Sequence, residues 1–223
     1  MLDDIDARRK RLILLGLGAV GPIVFIATYL INGTLQPGYS SWHDSISTLS
    51  LAPYGWIQVL NFMLYGLLTL CFAEGLRRSG ISKSWGFALL VIAGLGLLAI
   101  GPFRTDPVLG FPNGESSTIT AVGTVHSTAS LVVFLTFPAA VLVTARRSSR
   151  GWLFFSIATS ILSLAAVALF FGAVTAANGH AGGDSPAGLY ERLPTVLIGV
   201  WQVLFVLRVI RNQAKPGNLN LQE

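Results

Sequence analysis

The three histidines of the chain, His43, His126 and His180, are the side chains best suited to acid–base or metal chemistry. Together with Asp106 they supply the imidazole nitrogens and the carboxylate that zinc sites use, with a bound water as nucleophile. Neither a His-x-x-x-His nor a Glu-x-x-His spacing occurs, so the chain has no local metal-binding motif. We therefore predict no resident metal and no cofactor, and we keep a zinc site built from these four residues as the alternative.

A second polar constellation is the run His43-Asp44-Ser45. It offers an imidazole, a carboxylate and a hydroxyl for nucleophilic catalysis, but the Gly-x-Ser-x-Gly turn of hydrolases is absent. A short surface helix capped by Asp44 or Ser45 explains the same residues without any catalysis. His126 lies inside an apolar run, where a polar side chain is costly unless it is paired. It is predicted either to form a hydrogen bond with another helix or to bind a ligand or a proton.

Two pairs of opposite charges flank the apolar runs: Arg104 with Asp106, and Glu191 with Arg192. A carboxylate such as Glu191 is favoured electrostatically near the start of a helix. Arg192 is then expected to reach Asp106, in a salt bridge that ties two loops together, or an anionic ligand such as a lipid phosphate. The candidate ligand-binding residues are therefore His43, Asp44, Ser45, Arg104, Asp106, His126, Glu191 and Arg192.

The composition indicates that most of the protein surface meets lipid. Hydrophobic residues make up 52% of the 223 residues and charged residues only 11%, against about 25% charged residues in soluble domains. The net charge of +5 does not indicate nucleic-acid binding, because the basic residues form short clusters between apolar runs. The lone cysteine, Cys71, excludes a disulfide within the chain.

Six apolar runs are long enough to cross the hydrocarbon core of a bilayer, which takes about 20 residues. Because backbone groups in lipid must be paired within the segment, these runs are predicted to be helices. We predict a single all-α integral membrane domain over residues 1–223, a polytopic bundle of six transmembrane helices. The predicted spans are residues 12–31, 56–76, 85–103, 119–144, 152–177 and 193–210.

The distribution of basic residues predicts the orientation of this bundle. Of the 15 Lys and Arg residues, all except Arg104 and Arg192 fall in the N-terminal tail, in the connections after the second and fourth spans, or at the C-terminal end from Arg208 onward. Positive residues stay on the cytoplasmic side during insertion. Both termini are therefore predicted to lie in the cytoplasm of a multi-pass cell-membrane protein, with the histidines and the candidate residues on the outer side.

Polar residues also recur at helical spacing inside three of the spans. Such stripes face a neighbouring helix or a cavity rather than lipid. They are expected either to form hydrogen bonds between helices or to line a polar pocket that opens outward. The stripes are Gln58, Asn61, Tyr65 and Thr69; Ser156, Ser160 and Ser163; and Glu191, Thr195 and Gln202.

Three segments together resemble a bacterial and archaeal membrane-protein family catalogued as domain of unknown function number 998. The resemblance extends from the first span to the last and implies a six-helix integral membrane protein, with no activity attached. The family often has Phe-Pro-x-Asp where this chain has Phe103-Arg104-Thr105-Asp106. The matching segments are His43-Asp44-Ser45-Ile46-Ser47 leading to Gly55-Trp56; Phe103-Arg104-Thr105-Asp106-Pro107 followed by His126-Ser127; and Gly188-Leu189-Tyr190-Glu191-Arg192.

These observations lead to two functional hypotheses. The first is a membrane protein that binds a lipid head group or a small solute in an outward-facing polar pocket, as a sensor, an accessory protein or a transport component. The alternative is an intramembrane lipid hydrolase that uses the outer His and Asp residues with a metal or an activated water. Beyond the bilayer and such a ligand, the sequence indicates no partner, and it leaves the oligomeric state and the question of enzymatic activity open.

Overall fold

The computed structural model describes residues 2–81, 84–113, 118–146, 148–177 and 185–213. Within these ranges the protein is built from helices, and no strand forms, which confirms the all-α prediction. A short 3₁₀ helix, Ser47–Leu51, follows the first long helix. The long helices are α1 (Leu2–Leu35), α2 (Gly55–Arg78), α3 (Ser84–Ile100), α4 (Ala121–Ala145), α5 (Arg150–Ala176) and α6 (Ala187–Gln213).

The helices are of the type that crosses membranes. Five of them, α1, α2, α4, α5 and α6, are long and apolar enough to do so. Helix α3 is equally apolar but has 17 residues, which gives a length of about 25 Å, near the lower limit for a span. Side chains such as Leu95, Ile161 and Leu169 are more than half exposed on the sides of the bundle. Apolar surface of this extent is what a lipid-facing protein presents.

The six helices form a ring in chain order. Each packs lengthwise on its neighbours in the sequence, and α1 closes the ring against α6. The core inside the ring is rich in aromatic residues, among them Phe25, Phe62, Tyr65 and Phe137. Because α1 and α6 are adjacent, residues from the two ends of the chain are brought together at every level of the bundle.

The predicted polar stripes face the inside of the ring. All their members except the half-buried Thr195 are buried, with Gln58, Thr69, Ser156 and Ser163 fully enclosed. Asn61 Nδ2 donates to the carbonyl oxygen of Phe25 in another helix at 3.0 Å. The expectation of hydrogen bonds between helices is confirmed for Asn61, Ser160 and Gln202.

The most informative of these bonds repairs a defect that a proline creates. Pro22 lies inside α1 and has no N–H, so the carbonyl oxygen four residues earlier, on Gly18, lacks its helical donor. Nε2 of Gln202 on α6 donates to that oxygen at 2.7 Å. An unpaired carbonyl is costly in a membrane interior, and this bond therefore ties α1 to α6 where the ring closes.

We predict that replacing Gln202 by Leu lowers stability by about 1–3 kcal/mol, because the Gly18 oxygen then has no donor. In a Pro22→Ala background the restored backbone N–H takes over this role, and the same replacement should cost much less. Thermal unfolding of the four proteins in detergent measures the difference. Val200→Leu, on the exposed face of α6, serves as the control. An equal cost of Gln202→Leu in both backgrounds would refute the pairing of Gln202 with Pro22.

Candidate functional site

Two connections fold together over one end of the ring. We call residues 36–54, between α1 and α2, and residues 101–113, after α3, the cap. The rings of Tyr39 and Phe111 meet edge to face with centroids 5.2 Å apart, which joins the two segments. Leu109 packs with Phe170 of α5 and Ala187 of α6 in a small apolar cluster. The start of α6 therefore lies directly beneath the cap.

Within the cap, His43, Asp44 and Ser45 organise a turn. Nδ1 of His43 is 2.8 Å from one carboxylate oxygen of Asp44, and the other oxygen accepts the N–H of Ser40 at 2.8 Å. The hydroxyl oxygen of Ser45 accepts the N–H of Thr48 at 3.2 Å, in a turn just before the 3₁₀ helix. Asp44 and Ser45 are buried. The expected surface helix capped by Asp44 or Ser45 is not formed, because the residue at the N-cap is Ile46 and the short helix is largely buried. The polar groups of the run are used in local hydrogen bonds of the turn.

Arg192 fastens the cap to α6. Its guanidinium donates to the carbonyl oxygen of Asp44 at 2.9 Å and to that of Gly188 at 2.7 Å, and also to the hydroxyl of Tyr39. Burial raises the pKa of the Tyr39 hydroxyl above its ordinary value, so this group stays protonated and donates onward to the carbonyl oxygen of Ser45 at 3.0 Å. A Cβ at position 188 would lie 2.5 Å from the Asp44 oxygen. Glycine is therefore required at this close approach.

The predicted salt bridge between Arg192 and Asp106 is not formed. Arg192 is occupied by cap oxygens, and Asp106 accepts the N–H of Thr120 at 2.9 Å and its hydroxyl at 2.7 Å. Thr120 is the residue that caps α4, where a carboxylate also opposes the positive end of the helix dipole. A Cβ at position 123 would lie 2.0 Å from the same carboxylate, so Gly123 makes room for it.

Arg104 does not join this cluster. Its side chain is exposed, and among the described residues it forms no ion pair with Asp106, contrary to the expected pairing of the two. The Asp106 carboxylate is instead engaged by Thr120 at the start of α4.

His126 is buried on the inner face of α4. Its Nδ1 is 2.6 Å from the carbonyl oxygen of Phe103, in the cap just after α3. Since a carbonyl only accepts, Nδ1 is the protonated nitrogen and Nε2 is an acceptor. Nε2 is enclosed and has no partner among the described residues. The hydrogen bond therefore goes to the cap and not to another helix, and one nitrogen of His126 remains available.

Glu191 lies within the first turns of α6, which starts already at Ala187, before the predicted span. Its carboxylate is buried and accepts the N–H of Ile46 at 2.5 Å and the hydroxyl of Ser47 at 3.3 Å, both from the cap. Among the described residues, no Lys or Arg nitrogen lies within 4.0 Å of it. Its charge is therefore held by hydrogen bonds and not by a direct ion pair.

The Glu191 carboxylate lines a cavity of about 50 Å³ in the middle of the ring, beneath the cap. Of the eight candidate residues, Glu191 is the one that lines it. The sequence did not single out the phenylalanines of this cavity, because phenylalanine is ordinary in a membrane helix and periodicity does not distinguish a cavity wall from a packed core. The aromatic lining consists of Phe25, Phe62, Tyr65, Phe134 and Phe137, and the hydroxyl-bearing lining consists of Ser47, Ser130 and Thr195.

A metal centre finds no support in the part of the chain that the structure describes. No group of three or more His, Cys, Asp or Glu side chains there could hold a metal ion. His43 is paired with Asp44, and His126 with a backbone carbonyl. The alternative zinc site also includes His180, which lies outside the described residues, and it therefore stays a prediction.

A comparison with protein families matches residues 19–208 to a family described as "Protein of unknown function (DUF998)". The chain belongs to this family. The resemblance of the cap and α6 segments is thereby confirmed, and it extends over all six helices. No curated protein and no solved structure matches the chain. The family provides no activity, so function must be inferred from the geometry of this member.

We predict that Arg192→Gln lowers the free energy of unfolding by about 2–3 kcal/mol, since three buried oxygens lose a charged donor. Arg192→Lys should not restore it, because an ammonium cannot reproduce the planar fork of the guanidinium. Arg104→Gln is the matched control and should stay within about 0.5 kcal/mol of the parent. Thermal unfolding and limited proteolysis of the cap report both effects. Equal stability of the Arg192 and Arg104 variants would show that Arg192 does not hold the cap.

Proposed function

We propose that this protein binds a small amphipathic molecule inside its helix ring, in the cavity beneath the cap, with Glu191 as the polar anchor. The observation that carries the proposal is a buried acidic residue on the wall of a cavity that is otherwise lined mainly by aromatic and apolar side chains, with a few hydroxyl groups. Small-molecule sites in proteins have this character, with apolar walls and few polar groups that fix orientation.

The energetic cost of the arrangement supports a binding role. Burying a carboxylate without a direct ion pair costs several kcal/mol even after relaxation, and Arg192, the nearby positive charge, offsets this only at longer range. The hydrogen bonds from Ile46 and Ser47 offset part of that cost. An apolar residue at position 191 would pack in the core without any desolvation cost. A ligand that interacts with the carboxylate gives this residue a role that packing alone does not.

The connection between cavity and cap supports a sensor or accessory role. Both donors to Glu191 belong to the cap, and the neighbouring Arg192 binds cap oxygens as well. A ligand that binds the Glu191 carboxylate therefore competes with its hydrogen bonds to the cap, which lies at the end of the ring. Occupancy of the cavity would bias the conformation of this surface, because a ligand shifts an equilibrium by its differential affinity for two states.

The cavity can be tested by filling it. Ser130→Phe places a ring in the cavity, whereas Ser127→Phe, one turn away on the exposed face of α4, places the same ring toward lipid. We expect small molecules that copurify with the parent, detected by native mass spectrometry, to fall at least about tenfold in occupancy in Ser130→Phe and to persist in Ser127→Phe. The two variants are compared only if their melting temperatures are equal. Ser130→Leu, which introduces a smaller side chain into the cavity, is a third variant. Unchanged occupancy in both Ser130 variants would refute the cavity as the site.

We further propose that all six helices cross the cell membrane and that both termini lie in the cytoplasm. The connections predicted to be external meet at one end of the ring, as shown by the bond from the N–H of Leu189 to the carbonyl oxygen of Trp42 at 3.1 Å. Basic residues lie away from this end of the ring. Arg208, for example, lies over the ring of Trp152, close to the start of α5. This segregation agrees with the positive-inside rule.

Single cysteines test this topology. In a Cys71→Ser background we expect a membrane-impermeant maleimide to label Ser41→Cys in intact cells, because residue 41 lies in the cap. Ser149→Cys, at the start of α5, should react only after the membrane is permeabilised. Both positions are exposed, so accessibility in the fold is matched. Labelling of Ser149→Cys but not of Ser41→Cys from outside would reverse the orientation, and labelling of both would exclude the odd number of crossings proposed between them.

A further inference from the structure

We infer that the ligand of the cavity carries a compact ammonium group that pairs with the Glu191 carboxylate. This inference rests on the proposed function and specifies the chemical class of the ligand. The carboxylate, the aromatic walls and the size of the cavity support it independently.

The charge balance of the cavity favours a cation. Among the described residues that line it, Glu191 is the charged one, and no Lys or Arg nitrogen approaches its carboxylate within 4.0 Å. Arg192 is adjacent in sequence, but its guanidinium is engaged by Asp44 and Tyr39 in the cap and by Gly188 in α6. A cation in the cavity would supply the close counter-charge that the carboxylate lacks. An anion would meet repulsion at the same place.

The carboxylate also retains hydrogen-bonding capacity. Two oxygens offer about four acceptor positions, and the bonds from Ile46 and Ser47 use a part of them. An alkylammonium group brings donors and a positive charge together, and charge-assisted bonds of this kind are about twice as strong as neutral ones. A hydroxyl brings one donor without the charge, so it should bind more weakly.

The walls of the cavity suit the same group. The rings of Phe25 and Tyr65 stack with centroids 4.8 Å apart, and the rings of Tyr65 and Phe137 stack at 6.0 Å. Phe62 lies against Phe25 at 5.5 Å. Aromatic rings pack against the alkyl substituents of an ammonium ion, and a ring whose face is not covered by a neighbour also attracts the charge through its quadrupole. A carboxylate combined with an aromatic lining therefore suits an alkylammonium group.

The size of the cavity sets a limit on the group. About 50 Å³ is well below the roughly 150 Å³ of an apolar cavity that takes up benzene. The enclosed part of the ligand is therefore a short alkylammonium, either a small free amine or the ammonium end of a longer amphiphile. The two sources share one chemistry, and the membrane composition distinguishes them.

The test uses three probes that share an isopropyl group: isopropylammonium and isopropanol, which have the same shape, and the slightly larger anion isobutyrate. The full-length protein is placed in nanodiscs of phosphatidylglycerol, which contain no ammonium group, and the melting temperature is measured against probe concentration. Ligands that bind only the folded state raise it according to their affinity. We expect isopropylammonium to bind at least about tenfold more tightly than isopropanol, with no stabilisation by isobutyrate. Equal affinity of the ammonium and the alcohol, or preference for the anion, overturns the inference.

Two variants connect the preference to the carboxylate. Glu191→Gln keeps an acceptor for the Ile46 N–H but removes the charge, and it should abolish the preference for the ammonium probe. Ser47→Ala removes one donor to Glu191 and leaves the charge, and it should retain the preference. The Ser47→Ala variant thus shows whether a lost ammonium preference in Glu191→Gln comes from removal of the charge or from a disturbed cap. A Glu191→Gln protein that still prefers isopropylammonium contradicts the pairing.

Added phosphatidylethanolamine distinguishes the two sources of the ammonium group. Competition with isopropylammonium supports a lipid head group, and its absence supports a free amine. The outcome for the proposed function is separate. If all three probes bind equally and Ser130→Phe abolishes their binding, the cavity is a binding site without preference for a cation. If Ser130→Phe leaves the binding of every probe unchanged, the cavity itself is not the site.

Discussion

The pairing of backbone carbonyls inside a low-dielectric bundle is the constraint on which the rest of this structure depends. A helix pairs most of its own carbonyls, but a proline or a non-helical segment leaves some without donors. In this protein a side chain from another element supplies the donor at three such places: Gln202 to Gly18, His126 to Phe103, and Arg192 to Asp44. These polar residues are part of the scaffold, and they fix where helices and cap meet.

The adjacent residues Glu191 and Arg192 show how one helix turn serves two purposes. Successive side chains on a helix point about 100° apart, so the guanidinium reaches the cap while the carboxylate lines the cavity. Two opposite charges thereby sit close in sequence without cancelling each other in a direct contact. Arg192 binds the cap and Glu191 lines the cavity. The cap and the cavity are therefore coupled through the backbone of α6.

Much of the fold could be predicted from the sequence, because apolar length and helical spacing depend on local pattern. The inward stripes, such as Gln58 and Asn61, follow directly from periodicity. The details of the site did not follow, since Arg192 and Asp106 each had several chemically suitable partners. Only the three-dimensional arrangement shows that backbone oxygens and the α4 cap satisfy them. The aromatic cavity gave no sequence signal, because Phe25 and Phe137 have the same residue type as many lipid-facing positions.

The ring order of the helices has a consequence for biosynthesis. The segment with Asp44 and Ile46 leaves the ribosome early, after α1, whereas its partners on α6 are made last. Until α6 inserts and closes against α1, the polar groups of this segment must be solvated by water at the membrane surface. Final assembly of the bundle therefore requires the last helix. A chain that stops before α6 would expose the polar groups of this segment to water and to quality-control proteases.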